Sequence, residues 1–100
     1  MKIKGINHVD KFYENERAFW LDLEEIPEEL IEQAKKIDGD NFSESRFGML
    51  VVQTGYNWFV CMDAPSKDVY YIDNNGNRHW MKYVMSEEEE QHAIDYCVNS

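Results

Sequence analysis

His8, His79 and His92 are the side chains of this sequence best suited to moving protons or holding a metal near neutral pH. They are far apart in the chain, and none falls in H-E-x-x-H or a comparable ligand spacing. Glu88, His92 and Asp95 lie four and then three residues apart, which on a helix puts carboxylate, imidazole and carboxylate on one face. Ordinary solvent-facing neighbours share that spacing, so the expectation is no metal and no cofactor. What remains for catalysis is a site assembled by folding from His8, His79 and carboxylates.

Nucleophiles offer less. Cys61 follows an apolar run and Cys97 lies in a short helical stripe, settings in which a thiol behaves as a small hydrophobe. Two cysteines cannot make a disulfide framework or a paired C-x-x-C zinc site, although a single Cys61–Cys97 bridge is an alternative to two reduced thiols. Ser43, Ser45 and Ser66 have no G-x-S-x-G context. The glycines fit turns and caps, and no phosphate-cradling loop is present. The sequence therefore argues for a protein that binds and does not catalyse.

Charge is the strongest feature. The formal net charge is −10, from 20 acids and 10 bases. The excess is concentrated: residues 12–45 hold eleven acids and three bases, and residues 86–100 hold five acids and no base. Such a field repels nucleic acid and anionic membranes and attracts basic partners within about a Debye length, ~10 Å. No direct binding of nucleic acid or membrane is expected.

The stretch LDLEEIPEELIEQ, Leu21 to Gln33, holds six of these carboxylates. Glu28 and Glu29 follow Pro27 in the first turn of a predicted helix, and Glu87, Glu88, Glu89 and Glu90 follow Ser86 in another. Acids belong there, each stabilising the positive helix end by about 0.3–1 kcal/mol. Glu32 has Lys35 and Lys36 within a turn. Asp22, Glu24 and Glu25 have no comparable structural reason.

The elements that must position these groups follow from periodicity. MKIKGINHV alternates loosely and suits a short first strand with a bend at Gly5. RAFWLDL places Phe19, Leu21 and Leu23 on one side and Trp20 and Asp22 on the other, as in a half-buried strand, with a helix over residues 12–24 as the alternative. Leu30, Ile31, Ala34 and Ile37 form a helical stripe from Pro27 to Asp38, ended by Gly39. DGDNFSES is a loop by composition. From Arg46 the pattern is β, with hairpins turning near Gly55 and at Asn75-Gly76.

A two-residue loop at Asn75-Gly76 pairs Tyr71 with Trp80, Ile72 with His79 and Tyr70 with Met81. One face then carries Tyr71 and Trp80, which stand as exposed apolar anchors. Ser86 and Glu89 form a capping box before a last helix with Ala93, Ile94, Cys97 and Val98 inward. One hundred residues make one domain, expected as an α+β fold: a mostly antiparallel sheet of four to six strands with two α-helices packed on it.

The functional expectation is a small, acidic, non-enzymatic protein that presents a polyanion-like surface to a basic partner, a nucleic-acid-handling enzyme, and so inhibits it. Its surface is expected to comprise Asp22, Glu24, Glu25, Glu28, Glu29 and Glu32, then Glu87 to Glu90, with Tyr71 and Trp80 as anchors. Phage-encoded inhibitors of bacterial defence nucleases and immunity proteins for nuclease toxins are similar in size and acidity. That resemblance is one of composition, and no residue motif carries it. The alternative is an interaction or scaffold domain with an aromatic sheet face for a neutral partner, acidity serving only solubility. With no apolar run near 20 residues and no signal-peptide pattern after Met1, the expected compartment is the cytoplasm, that of a bacterial host for a phage-encoded protein.

Overall fold

The computed structural model describes residues 2–13, 16–54, 58–60 and 69–99. It is an α+β domain. Six strands, β1 (Lys2–Tyr13), β2 (Glu16–Glu24), β3 (Phe47–Thr54), β4 (Trp58–Val60), β5 (Val69–Ile72) and β6 (Arg78–Trp80), form an antiparallel sheet in the order β1-β2-β3-β5-β6, with β4 paired to the far end of β3. Two helices, α1 (Glu28–Asp38) and α2 (Glu87–Val98), contribute Leu30, Ala34, Ala93 and Cys97 to the same core as the strands.

Period-two alternation decides which strand residues meet the helices. Phe19, Leu21 and Leu23 of β2 enter that core beside Phe47, Met49 and Val51 of β3 and Val69 and Tyr71 of β5. The helical alternative for residues 12–24 does not hold, because Glu16–Glu24 is a strand paired on both sides. The first strand is longer than its sequence pattern suggests. Register shifts between Ile3 and Gly5, Ile6 and His8, and Lys11 and Tyr13 interrupt its alternation while its pairing with β2 continues. Such bulges also suit an edge strand, which they twist away from further pairing.

Helix α1 begins at Pro27, whose carbonyl accepts from the N–H groups of Leu30 and Ile31 at 3.0 and 3.2 Å. It ends at Gly39, whose φ of 56° lets its N–H turn back to the Lys35 carbonyl. Gln33 on this helix brackets the backbone of Lys82, donating to its carbonyl at 3.1 Å and accepting from its N–H at 3.2 Å. One side chain thus anchors the irregular segment between β6 and α2. The loop expected at DGDNFSES is two single 3-10 turns, Gly39–Asn41 and Glu44–Arg46. Ser86 and Glu89 form the expected capping box on α2.

The last hairpin corrects the expected register. Tyr70 pairs with Trp80, Tyr71 with His79 and Ile72 with Arg78, one residue away from a two-residue loop. Asp73 is the cause. Its backbone N–H donates to the Asn77 carbonyl at 2.9 Å and its carbonyl accepts from the Gly76 N–H at 3.0 Å. Its Oδ1 also accepts from the N–H groups of Asn75 and Asn77, both at 2.9 Å. The loop therefore spans Asn74, Asn75 and Gly76, with Gly76 supplying the positive φ of 86° that this longer turn requires.

A slip of one residue turns every side chain over. Here it turns β6 over relative to β5 and parts Tyr71 from Trp80; Tyr71, on the core side with Val69, is fully buried and not a surface anchor. It packs against Phe47 and Phe42 with ring centroids 4.9 and 6.0 Å away. Its hydroxyl donates to Asp38 Oδ2 at 2.5 Å, and the same oxygen accepts from Arg46 Nη1 at 3.1 Å. Asp38 Oδ1 accepts from the Asn74 N–H at 3.3 Å, so one buried carboxylate ties the end of α1 to the second 3-10 turn, β5 and the hairpin loop.

Candidate functional site

Two surfaces hold the residues singled out from the sequence. The first is the corner where β2 leaves the sheet and turns into α1. Leu23 must stay in the core and Ile26 packs against it, while Glu24 and Glu25 between them are exposed. The chain achieves this by placing Glu25 at φ 53°, the one positive-φ residue other than glycine among the described residues. A side chain with a β-carbon there costs roughly 1–2 kcal/mol relative to an ordinary conformation, a cost glycine avoids. A glutamate at such a position is not what the turn itself selects.

From that corner further acids follow on α1. Glu28, Glu29 and Glu32 are exposed along α1, whose buried face is Leu30 and Ala34. Glu24 and Glu25 also border a shallow hollow of about 250 Å³ shared with Lys4, Ile26, Glu44 and Ser45. Glu44, which the sequence did not single out, thereby joins this surface through the second 3-10 turn. The ladder sets Lys2 opposite Glu24, so that with Lys4 in the hollow two bases stand at the corner.

Asp22 differs from these acids. It shares the outward side of β2 with Glu24 but is half-buried there, accepting from Asn7 Nδ2 at 3.2 Å. The acids of α2 divide as well. Glu87 and Glu88 are exposed and Glu90 is half-buried, whereas Glu89 is occupied within the fold. Its carboxylate accepts from the Ser86 N–H at 3.1 Å and from the Tyr83 hydroxyl at 2.7 and 2.8 Å. Burial pushes Glu89 upward, but the hydrogen bonds from Tyr83 and Ser86 outweigh it and hold the carboxyl below its ordinary value. The same contact, with burial, drives the Tyr83 hydroxyl well up.

The second surface is the sheet face that α1 and α2 leave uncovered. Trp20, Tyr70 and Trp80 meet there, with Tyr70 5.7 Å from Trp20 and 5.6 Å from Trp80 between ring centroids. Trp80 remains 39% exposed, so of the two expected anchors this one is available to a partner. Arg78 lies across the cluster, its Cζ 4.2 Å from the Trp20 ring centroid and 4.9 Å from that of Tyr70. The indole Nε1 of Trp20 donates to Asp10 Oδ2 at 2.8 Å, while Asp10 Oδ1 meets His8 Nε2 at 2.5 Å. The hydrogen bond from Trp20, with those from His8, holds Asp10 below its ordinary pKa against the opposing effect of burial.

The histidines do not converge. His8 pairs with Trp20 on the uncovered face, whereas His79 pairs with Tyr71 on the helix side and meets Asp73 Oδ2 at 2.7 Å. A site joining His8 to His79 is therefore not formed. His92 and Asp95 border another shallow hollow, where Asp95 accepts from Gln91 at 2.9 Å. Among the described residues no three histidine, cysteine or acidic side chains gather as a metal site. Cys97 is a buried free thiol that burial pushes up to about 11, and Cys61, the 55–57 turn and Ser66 lie outside the described residues. Among the described residues no helix is long and apolar enough to cross a membrane.

Comparison with known proteins finds no match, whether against family models, curated proteins or solved structures.

Proposed function

We propose that this protein is an acidic binding protein that occupies the basic, nucleic-acid-binding surface of a protein partner and inhibits it. The observation that carries the reading is the set of exposed acids Glu24, Glu25, Glu28, Glu29 and Glu32 at the end of β2 and along α1, joined at a corner where Glu25 keeps an unfavourable backbone conformation. Strain retained at an exposed polar residue is a mark of function more than of folding. A partner built to neutralise phosphates presents lysine and arginine at high density, and that positive field attracts a cluster of carboxylates in a salt-dependent way. Glu87, Glu88 and Glu90 extend the negative field from α2; Glu89 and Asp22 serve the fold.

The test is affinity capture from a lysate at low and moderate salt, identification of the retained protein, and a competition assay with its nucleic acid. Displacement of that nucleic acid, lost when Glu24, Glu25 and Glu28 are reversed to lysine, supports the proposal. A retained protein with no basic surface, or one that binds the reversed variant equally well, contradicts it.

The exposed indole of Trp80 favours a second reading, in which the uncovered sheet face binds a neutral partner and the acids only keep the protein soluble. In that case Trp80→Ala abolishes binding and the charge reversals leave it intact.

A further inference from the structure

The uncovered face contains a hollow of about 440 Å³ bordered by His8, Asp10, Trp20, Tyr70, Ile72 and Arg78. It shares no residue with the acidic corner, and its chemistry differs in kind. The bulge in β1 after Ile6 lets consecutive residues Asn7 and His8 both reach its rim. The ladder then sets His8 beside Trp20, Gly48 beside Tyr70 and Arg78 beside Ile72.

Arg78 is the informative residue. Its guanidinium sits over the Trp20 ring and beside that of Tyr70 and, among the described residues, meets no hydrogen-bond acceptor. A stacked guanidinium keeps its plane fixed while its edge donors point outward, the geometry that receives an oxyanion through two parallel hydrogen bonds. Its platform is itself held. Trp20 is fixed at its edge by Asp10, and Tyr70 is wedged between Trp20 and Trp80 over the glycine of β3.

We propose that this hollow binds a small monocarboxylate with a flat apolar body, the carboxylate on the Arg78 fork and the body along Ile72 and the aromatic wall. The single guanidinium, with Asp10 beside it, decides between carboxylate and phosphate. Asp10 stands in the wall as a fixed anion, its two oxygens already engaged by Trp20 and His8. A dianion doubles its attraction to Arg78 and its repulsion from Asp10 alike, but its desolvation cost rises with the square of its charge, whereas a planar monoanion satisfies the same fork at a lower cost. The proposal goes beyond the acidic-surface reading and stands or falls independently of it.

The experiment is a titration of the isotope-labelled full chain with benzoate, benzamide and phenylphosphonate at about pH 8.5, where phenylphosphonate is a dianion and benzoate a monoanion. Signals of the Trp20 indole N–H and the Arg78 side-chain N–H are followed. The expected result is a saturable benzoate shift at both sites with at least tenfold weaker binding of benzamide and phenylphosphonate, and at least tenfold loss in R78Q and R78K. Equal binding of benzoate and benzamide to the native protein overturns the proposal whatever the variants do. So does the lack of a saturable shift up to about 10 mM, where even a weak site of millimolar Kd fills. Phenylphosphonate binding as tightly as benzoate overturns the restriction to monoanions. Unchanged benzoate affinity in R78Q, with its other amide signals in place, overturns the role of Arg78.

Discussion

The ring of Tyr70 lies directly over Gly48 of the neighbouring strand, in the space a β-carbon there would occupy. The ring cannot swing aside cheaply, because Trp20 and Trp80 flank it. Gly48→Ala is therefore expected to lower stability by about 1–3 kcal/mol, the usual cost of overfilling a packed site. Urea denaturation measures it, and a variant as stable as the native protein would mean that the aromatic cluster is looser than its contacts imply.

Tyr71, one residue on, faces the other way and carries a different expectation. Removing only its hydroxyl, in Tyr71→Phe, takes a donor from buried Asp38 and should cost about 1–3 kcal/mol. Binding of any partner by the folded variant should be unchanged. A binding defect in Tyr71→Phe at full stability would show that Tyr71 reaches a partner after all.

Glu25→Gly should move stability and binding in opposite directions. Glycine relieves the positive φ at this corner and is expected to stabilise the fold by about 0.5–1 kcal/mol. Loss of the carboxylate is expected to weaken the proposed partner interaction. A denaturant midpoint lower than that of the native protein would contradict the argument from strain.

Acid should destabilise the fold in a defined window. The hydrogen bond from His79, with those from the Asn77 and Asn75 N–H groups, holds Asp73 below its ordinary 3.8 despite burial. For Glu89, burial acts upward but the bonds from Tyr83 and Ser86 prevail, leaving it below 4.5. Carboxyls lowered on folding bind protons more readily in the unfolded chain. Their stabilisation is present above the unfolded values and is lost as pH falls through the folded ones. The urea midpoint should thus hold from neutral pH to about 5 and then decline. Asp73→Asn and Glu89→Gln, less stable at neutral pH, should show a shallower decline, and an equally steep one would assign acid sensitivity to other groups.

Much of this fold was legible where one local rule sufficed. The alternation of Phe19, Leu21 and Leu23 marked the helix-facing side of β2, Gly39 marked the end of α1, and Ser86 with Glu89 marked the start of α2. Legibility ended where a side chain replaced a backbone partner. Asp73 lengthens the hairpin loop by one residue through its carboxylate, and that shift sets His79 opposite Tyr71 and moves Trp80 to the other face. The three register shifts in β1 likewise hid the length of that strand by breaking its alternation. Of the candidate surface, the exposed acids of α1 follow from its apolar stripe, whereas the meeting of Arg78 with Trp20 and Asp10 joins distant segments and leaves no local pattern.

The central claim is that Glu24, Glu25, Glu28, Glu29 and Glu32 act together as a substitute for phosphate. It is tested most directly by the affinity for the captured partner as a function of salt, in the native protein and in the triple reversal at Glu24, Glu25 and Glu28. The account predicts that the native affinity falls by at least tenfold between about 50 and 200 mM salt, linearly on a double-logarithmic plot. It also predicts that the reversed protein, still folded, loses both the binding and the slope. A native affinity that stays constant over that range would contradict it.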